Sequence, residues 1–428
     1  MHKIFIQAFA FNSSTAFIYK ILLLVHQIIL YSIIPKSLYG IQSSMFAAIY
    51  TAIAITNFGF EESLLPFFSI YSQSKQQFMQ AIRHFMGHII SLTCITYIFY
   101  LTFIYSSGAF LHNIQGYCNK NIIFITLAIF FIESIKKSTV AMMQLAFFNK
   151  QIAYAEISML LSYLATVWGL YTIYKNITIT TIFIPMLITS SLELLYLGYY
   201  LIQFYQQLPD AVAAPYIPFK VLFQERFYNY INQIIKTVYS PNSMTIFFAY
   251  LFGFQQAATI KFYTTIITLL HTCITKSIGV TSGAALAAMK GSPLPIIQQF
   301  FQDLTTRYVQ FLLILSIILI SIVGHAWYID MITIEMAGHI MIFFSISFLE
   351  HVTITYDQLF ISHHKASLLA YINATGLFSI LTLTMLYRYQ AISLPSYIGM
   401  IILIKLCCLI FIVYQANKHW TIKTPQHS

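Results

Sequence analysis

The chain has 428 residues, of which 59% are hydrophobic and only 8% are charged, and its mean hydropathy is +0.75. Soluble domains carry about 25% charged residues, so this composition excludes a water-soluble domain and indicates a protein whose solvent is lipid. The formal net charge of +10 comes from dispersed Lys and Arg residues. The lack of a basic run argues against a nucleic-acid partner and favours membrane lipid or an anionic, lipid-linked substrate.

Apolar segments long enough to cross a bilayer core, about 20 residues each, fill the sequence. They predict an all-α integral membrane protein with about twelve transmembrane helices. A polar cluster at Asn12-Ser13-Ser14-Thr15 predicts the N-terminal cap of the first helix and an uncleaved N terminus. The predicted helices cover residues 15–34, 41–60, 85–107, 121–147, 153–174, 180–204, 228–252, 256–286, 304–326, 333–361, 366–387 and 393–415.

A proline-rich break with Pro209, Pro215 and Pro218 divides the chain near its middle. It predicts an N-terminal six-helix bundle over residues 1–208, a cytoplasmic connector over 209–227, and a C-terminal six-helix bundle with a short tail over 228–428. The segment 219–235 mixes aromatic and charged side chains, which is typical of a helix lying along the lipid headgroups.

The distribution of basic residues predicts the orientation. One set of loops and tails holds ten Lys and Arg residues, and the opposite set holds four. Because cytoplasmic loops are enriched in Lys and Arg, both termini and the connector are predicted to be cytoplasmic.

Two stretches half a chain apart resemble each other. Residues 39–53 (YGIQSSMFAAIYTAI) align with residues 252–266 (FGFQQAATIKFYTTI) at an offset of 213, and the register matches Gly40 with Gly253 and Tyr50 with Tyr263. Repeats on this scale are typical of transporters whose halves face each other across a central site. The repeat therefore predicts two pseudo-symmetric six-helix bundles around a central cavity.

Three lysines in predicted spans, Lys20, Lys236 and Lys261, have no acid one turn away on the same helix. A charge in the bilayer centre costs about 2.5–3.5 kcal/mol on insertion scales. Either these ammonium groups snorkel to the membrane edge, or they line a cationic cavity that binds a phosphate-bearing substrate. We assign substrate binding to these three lysines and to Lys276, which lies nearer a helix end.

Acidic residues in the spans suggest two further roles. Glu350 and Asp357 are seven residues apart on one predicted helix and share a face; they could carry a coupling proton or sodium ion, or pair with a cavity lysine. Glu133 precedes Lys136 and Lys137 by three and four residues, a spacing that favours a structural ion pair on one helix face.

The sequence carries no catalytic signature. It contains no GxxxxGK[ST], GxSxG or HExxH pattern, and the spacing of its five cysteines suits neither a disulfide framework nor a zinc site. These observations predict a protein that is not an enzyme, with no catalytic residues, no metal site and no cofactor.

Around the first predicted loop the sequence resembles the polysaccharide-transporter branch of the multidrug/oligosaccharidyl-lipid/polysaccharide (MOP) flippase superfamily. The residues that carry the resemblance are Leu38-Tyr39-Gly40 and the segment 57–66 (NFGFEESLLP). The resemblance implies alternating-access movement of a polyprenyl-diphosphate-linked oligosaccharide from the cytoplasmic to the outer leaflet. It also implies basic residues in the cavity. Here these are lysines where arginines are often found, and lysine binds phosphate without a bidentate fork.

The sequence therefore predicts a lipid-linked oligosaccharide flippase, expected to act as a monomer with a proton or sodium ion as coupling partner. Two alternatives remain at this stage. One is a multidrug or toxin cation-coupled exporter of the same superfamily. The other is a multispanning glycan polymerase, ligase or acyltransferase, although the predicted outer loops are short for such an enzyme.

Overall fold

The computed structural model describes residues 2–64, 67–71, 73–105, 120–145, 148–210, 217–238, 294–328, 348–349, 352–362, 365–388 and 394–422, together with residues 242–243, 245–246, 249, 253–255, 258, 261–262 and 265. Thirteen helices are assigned within these residues. They are α1 (His2–Ile33), α2 (Lys36–Thr56), α3 (Phe60–Leu64), α4 (Phe68–Tyr71), α5 (Lys75–Tyr105), α6 (Lys120–Leu145), α7 (Asn149–Tyr174), α8 (Ile179–Gln207), α9 (Phe219–Val238), α10 (Leu294–Tyr328), α11 (Ile354–Ser362), α12 (Ala366–Arg388) and α13 (Leu394–Ile422).

Four stretches of the described chain combine the length and the hydropathy that a bilayer crossing requires. They are Lys36–Leu64, Asn149–Tyr174, Ile179–Gln207 and Gly399–Lys418. The all-α membrane character predicted from composition is therefore confirmed. The count of twelve spans stays a prediction, because most of the predicted helices over 256–286 and 333–361 lie outside the described residues.

The chain forms two compact units. The N-terminal unit comprises Ile18–Arg226 and Lys236–Phe262, and the C-terminal unit comprises Met1–Phe17, Phe227–Ile235 and Tyr263–Ser428. The predicted division into two pseudo-symmetric six-helix bundles remains a prediction.

Helix α6 lies at the centre of the N-terminal unit. It packs along α8, which also packs along α7, and both α2 and α5 pack against α6. The core between them contains Leu30, Tyr39, Phe130 and Phe183, all 2% exposed or less. Lipid tails are as apolar as these side chains, so tight packing and polar contacts between helices, rather than water exclusion, hold such a unit together.

The C-terminal unit is built around α12 and α13, which pack along one another, with α11 in contact with both. Gly376 marks their close approach, since a Cβ atom there would lie 2.9 Å from the Sγ atom of Cys408. Tyr308 and Leu312 of α10 form a second buried group with Phe348 and Ile354.

Four predicted helices, those over 121–147, 153–174, 180–204 and 366–387, are confirmed within four residues at either end. Helix α1 instead begins at His2, and the expected cap lies inside the helix. Apolar residues precede the polar cluster as well as follow it, and serine and threonine inside a helix can bond back to a carbonyl one turn earlier.

The connector also differs from expectation. A single helix, α9, runs through the boundary between the predicted headgroup segment and the predicted seventh span. It begins directly after Pro218, whose carbonyl accepts the backbone N–H groups of Val221 and Leu222. A proline before the first turn is well tolerated because the first N–H groups of a helix have no partner within the helix.

Candidate functional site

Two of the predicted substrate-binding lysines lie near each other in the N-terminal unit. Lys20 is on α1, and Lys261 is in a helical part of the 242–265 region; their ammonium groups are close enough to repel one another. The Nζ atom of Lys261 donates a hydrogen bond to Oδ1 of Asn242 at 3.0 Å. An anion bound near both ammonium groups would be attracted to each of them.

The stretch that carries Lys261 is fixed against α1 and α2 by close packing. The ring of Phe262 stacks on the ring of Tyr31, with centroids 4.6 Å apart and planes at 18°. The carbonyl of Phe254 occupies the place where a Cβ atom on Gly40 would lie. The two stretches that resemble each other in sequence therefore meet at Gly40, and the absence of a side chain there lets them approach.

The matched glycines have different roles. Gly40 is inside α2 and provides space, whereas Gly253 has a φ of +84° and no atom within 4 Å of a Cβ position. Gly253 is thus required for its backbone conformation, which other residues rarely adopt.

The remaining predicted site residues are distributed differently. Lys236 is exposed near the end of α9. Asp357 is only 2% exposed and lies in the C-terminal unit, within electrostatic range of Tyr308. Lys276 and Glu350 lie outside the described residues.

A buried cluster of charges joins α6 to α8. The Nζ atom of Lys136 lies 2.7 Å from Oε1 of Glu133 and 3.0 Å from Oε2 of Glu193. Ser190 donates a hydrogen bond to the same oxygen of Glu133. The predicted pair of Glu133 with Lys136 is confirmed, and Glu193 is an additional partner. We call Glu133, Lys136, Ser190 and Glu193 the α6–α8 charge cluster.

Two carboxylates share one ammonium group in this cluster, so one formal negative charge remains when all three are ionised. Buried charges are tolerated only when they are paired and hydrogen-bonded. The sequence shows Glu193 as an acid inside a predicted span. Its pairing with Lys136, 57 positions earlier, could not be predicted, because no local spacing relates residues that far apart.

Lys137 does not pair with Glu133, although the spacing of four residues permits it. Its Nζ atom lies 3.2 Å from Oε1 of Glu61 on α3, and Asn57 donates to the same oxygen at 3.1 Å. Consecutive residues on a helix point about 100° apart. Lys136 and Lys137 therefore face different neighbours, with Lys136 directed towards α8 and Lys137 towards α3.

Tyr19 connects the cluster with the lysine pair. Its ring lies 5.9 Å from the Nζ atom of the adjacent Lys20. The Tyr19 hydroxyl is within electrostatic range of Glu133, Lys136 and Glu193. Tyr19 is thus near Lys20 and within electrostatic range of the α6–α8 charge cluster.

The described residues contain no group of three or more His, Cys, Asp or Glu side chains that could hold a metal ion. The described residues do contain two lysines within electrostatic range of each other and a buried cluster rich in carboxylates.

No protein-family profile and no curated protein matches the amino-acid sequence, but the fold has solved counterparts. The chain is similar to an outward-facing multidrug-resistance MATE transporter of the MOP superfamily, with a TM-score of 0.70 and 11% identity over 97% of this chain and 96% of that one. It is also similar to a MOP superfamily transporter from Pyrococcus furiosus described as having a binding pocket of reverse polarity (TM-score 0.67, 10% identity, 97% and 95% covered). A third similar structure is the MATE transporter ClbM in complex with Rb+ (TM-score 0.63, 10% identity, 96% and 92% covered).

At this level of identity the similarity establishes the fold alone, which this chain shares with the three solved structures named above. Membership of the predicted superfamily stays a prediction. The neighbours are MATE transporters, so they give no support to the polysaccharide branch over the multidrug branch.

Proposed function

We propose that this chain is an alternating-access transporter that moves a polyprenyl-diphosphate-linked oligosaccharide from the cytoplasmic to the outer leaflet. The observation that carries the proposal is that two lysines of the N-terminal unit, Lys20 beside the Tyr19 ring and Lys261 bonded to Asn242, lie within electrostatic range of each other. Two neighbouring ammonium groups in a membrane-embedded unit would repel an organic cation and attract a diphosphate.

The proposed cycle follows from this electrostatic asymmetry. The diphosphate enters between Lys20 and Lys261 and relieves their repulsion, so the loaded site is favoured over the empty one. Lysine contacts phosphate as a point charge and therefore binds the shared headgroup of many lipid-linked glycans without fixing its orientation. We assign Lys236 and Lys276 to the same path as secondary contacts.

The proposal includes the setting of the protein. We place the chain in the inner membrane as a monomer, with both termini on the cytoplasmic side and the two bundles rocking about the site. Release of the cargo requires an energy source, for which we assign a proton or sodium ion, carried by the acid-rich α6–α8 charge cluster or by Asp357 and Glu350.

Depletion of the protein followed by extraction of lipids tests the proposed cargo. We expect a polyprenyl-diphosphate glycan to accumulate on the cytoplasmic leaflet, where a periplasmic glycan-processing enzyme cannot reach it. Restored expression of the unaltered chain, but not of Lys20→Ala with Lys261→Ala, should clear the accumulated lipid. Normal lipid pools in the depleted cells would contradict the proposal.

A cation-coupled multidrug exporter is the second candidate. The excess carboxylate of the α6–α8 charge cluster favours it, and the similar structures include multidrug transporters. Efflux of fluorescent organic cations distinguishes the two candidates. An exporter should lower their accumulation in cells, and Glu193→Gln should abolish that effect, whereas a flippase should leave accumulation unchanged.

A further inference from the structure

The turn between α2 and α3 is held in an unusual backbone conformation. Phe58 has a φ of +49° and Gly59 a φ of +66°. A positive φ is ordinary for glycine but uncommon for a phenylalanine, and such positions persist only where surrounding contacts hold them. The turn bears Asn57 at its start and Glu61 just after it, and both belong to the Lys137 contact described above.

Arg226 contacts this turn from outside α2 and α3. Arg226 of α9 donates from Nε to the carbonyl oxygen of Phe58 at 3.2 Å, and its guanidinium lies 5.6 Å from the centre of the Phe60 ring. Its Nη2 atom lies 3.4 Å from Nδ1 of His88 on α5. A guanidinium only donates, so Nδ1 of His88 is the acceptor.

His88 covers one face of the Phe60 ring. Its ring is stacked on that of Phe60, with centroids 4.8 Å apart and planes at 3°, and it is only 1% exposed. Phe60 is therefore covered by His88 and approached by Arg226. A planar, delocalised cation suits this position better than a lysine would, because it can stack and donate at the same time.

We propose that Arg226 is a positioning residue that holds the α2–α3 turn and, through Glu61, sets the position of Lys137 on α6. The steps are continuous: Arg226 fixes the Phe58 carbonyl, the turn places Asn57 and Glu61, and Glu61 binds Lys137. Lys137 is covalently next to Lys136, so the chain of contacts ends at the α6–α8 charge cluster. The inference does not depend on the cargo.

Arg226 lies at a boundary between the two compact units. It is the last residue of the connector that belongs to the N-terminal unit, and residues 227–235 of the same helix belong to the C-terminal unit. A displacement of α9 at Arg226 would therefore shift the Phe58 carbonyl that Arg226 contacts. Arg226 thereby connects the connector with the buried charges of α6.

Hydrogen exchange of the purified chain in lipid nanodiscs tests the inference without any substrate. In Arg226→Ala we expect amides of residues 57–64 to exchange about tenfold faster or more, the effect of losing a hydrogen bond to a charged group. We expect faster exchange in residues 137–145 of α6 as well. Arg83→Ala, which removes an exposed arginine from α5 in the same unit, should change neither segment.

A double-mutant comparison separates coupling from simple loosening. Glu61→Gln should speed exchange in residues 137–145 and leave the Phe58 turn protected. In the double variant, Arg226→Ala should not speed exchange in residues 137–145 beyond the effect of Glu61→Gln alone, because both substitutions interrupt the same series of contacts. Arg226→Lys should protect the turn only in part.

If Arg226→Ala does not fold, the Glu61→Gln variant still tests the inference. In that case the inference requires faster exchange in residues 137–145 of Glu61→Gln, and partial loosening of both segments in Arg226→Lys. The inference is overturned if Arg226→Ala loosens the turn but leaves α6 unchanged, if neither segment responds, or if the two substitutions have additive effects on α6.

Discussion

Lys136 and Lys261 lie in contrasting environments within the N-terminal unit, although burying either ammonium group in lipid costs free energy. Lys136 is enclosed by the carboxylates of Glu133 and Glu193, so its charge is part of the packing between α6 and α8. Lys261 lies beside the ammonium group of Lys20 and donates to the neutral amide of Asn242. The first arrangement is a buried ion-paired cluster, and in the second a neutral amide accepts the hydrogen bond of an ammonium group that lies within electrostatic range of another.

Replacing Lys136 should produce the largest effect. Lys136→Leu leaves two buried carboxylates without their shared counterion, and breaking a buried pair costs about 3–5 kcal/mol. We expect loss of folded protein, or a large fall in the temperature of unfolding in detergent. The exposed Lys150→Leu on α7 is the matched control and should unfold at the temperature of the unaltered chain.

A triple variant then separates the two possible roles of the cluster. Lys136→Leu with Glu133→Leu and Glu193→Leu removes every ionised group, and such replacements are often neutral for stability. Restored folding with full transport would assign the cluster to structure alone. Restored folding without transport would assign it to ion coupling.

Gly40→Ala should give the next largest effect, and it disturbs the lysine pair without changing any charge. The added methyl group meets the Phe254 carbonyl, which is backbone and cannot rotate away. Overpacking of this kind costs about 1–3 kcal/mol, measured as reduced thermal stability, and should displace the stretch that carries Lys261. Gly169→Ala, where nothing lies within 4 Å, should not destabilise the protein.

Lys20→Ala and Lys261→Ala should alter transport rather than stability. We expect each substitution to lower the rate of lipid-linked glycan translocation at least about tenfold, because each removes one charge-assisted contact. The yield of folded protein should not change. Lys261→Arg should retain activity because the charge remains. A large loss of thermal stability in Lys261→Ala would show that this lysine, like Lys136, belongs to the packing.

The smallest effect on stability is expected at an exposed ion pair between a lysine and an aspartate. Lys75 at the start of α5 lies 2.6 Å from Asp210 in the connector, and this contact holds the pKa of Asp210 below its ordinary value. A lowered acid pKa adds stability above the unfolded-state pKa, and that stability is lost as the pH falls through the folded-state value. Asp210 is exposed, so Asp210→Asn should leave the unfolding temperature at pH 7 unchanged; a measurable drop would show that the connector needs this contact.

The sequence by itself determined the class of this protein. Its long apolar segments with few charges indicate helices, which satisfy their own backbone groups in lipid. Local signals placed α6, α7, α8 and α12 within a few residues. The pair of Glu133 with Lys136 was also predictable, because partners one turn apart on a helix are neighbours whatever the fold.

Only the tertiary structure decided which distant residues meet. Lys137 could have paired with Glu133 on its own helix but binds Glu61, and Arg226 reaches the carbonyl of Phe58 across 168 positions. The backbone of Phe254 approaches α2 at Gly40, where a side chain would leave no room. Such contacts depend on how helices are oriented about their axes and how closely they approach, and neither quantity is encoded in any single stretch of sequence.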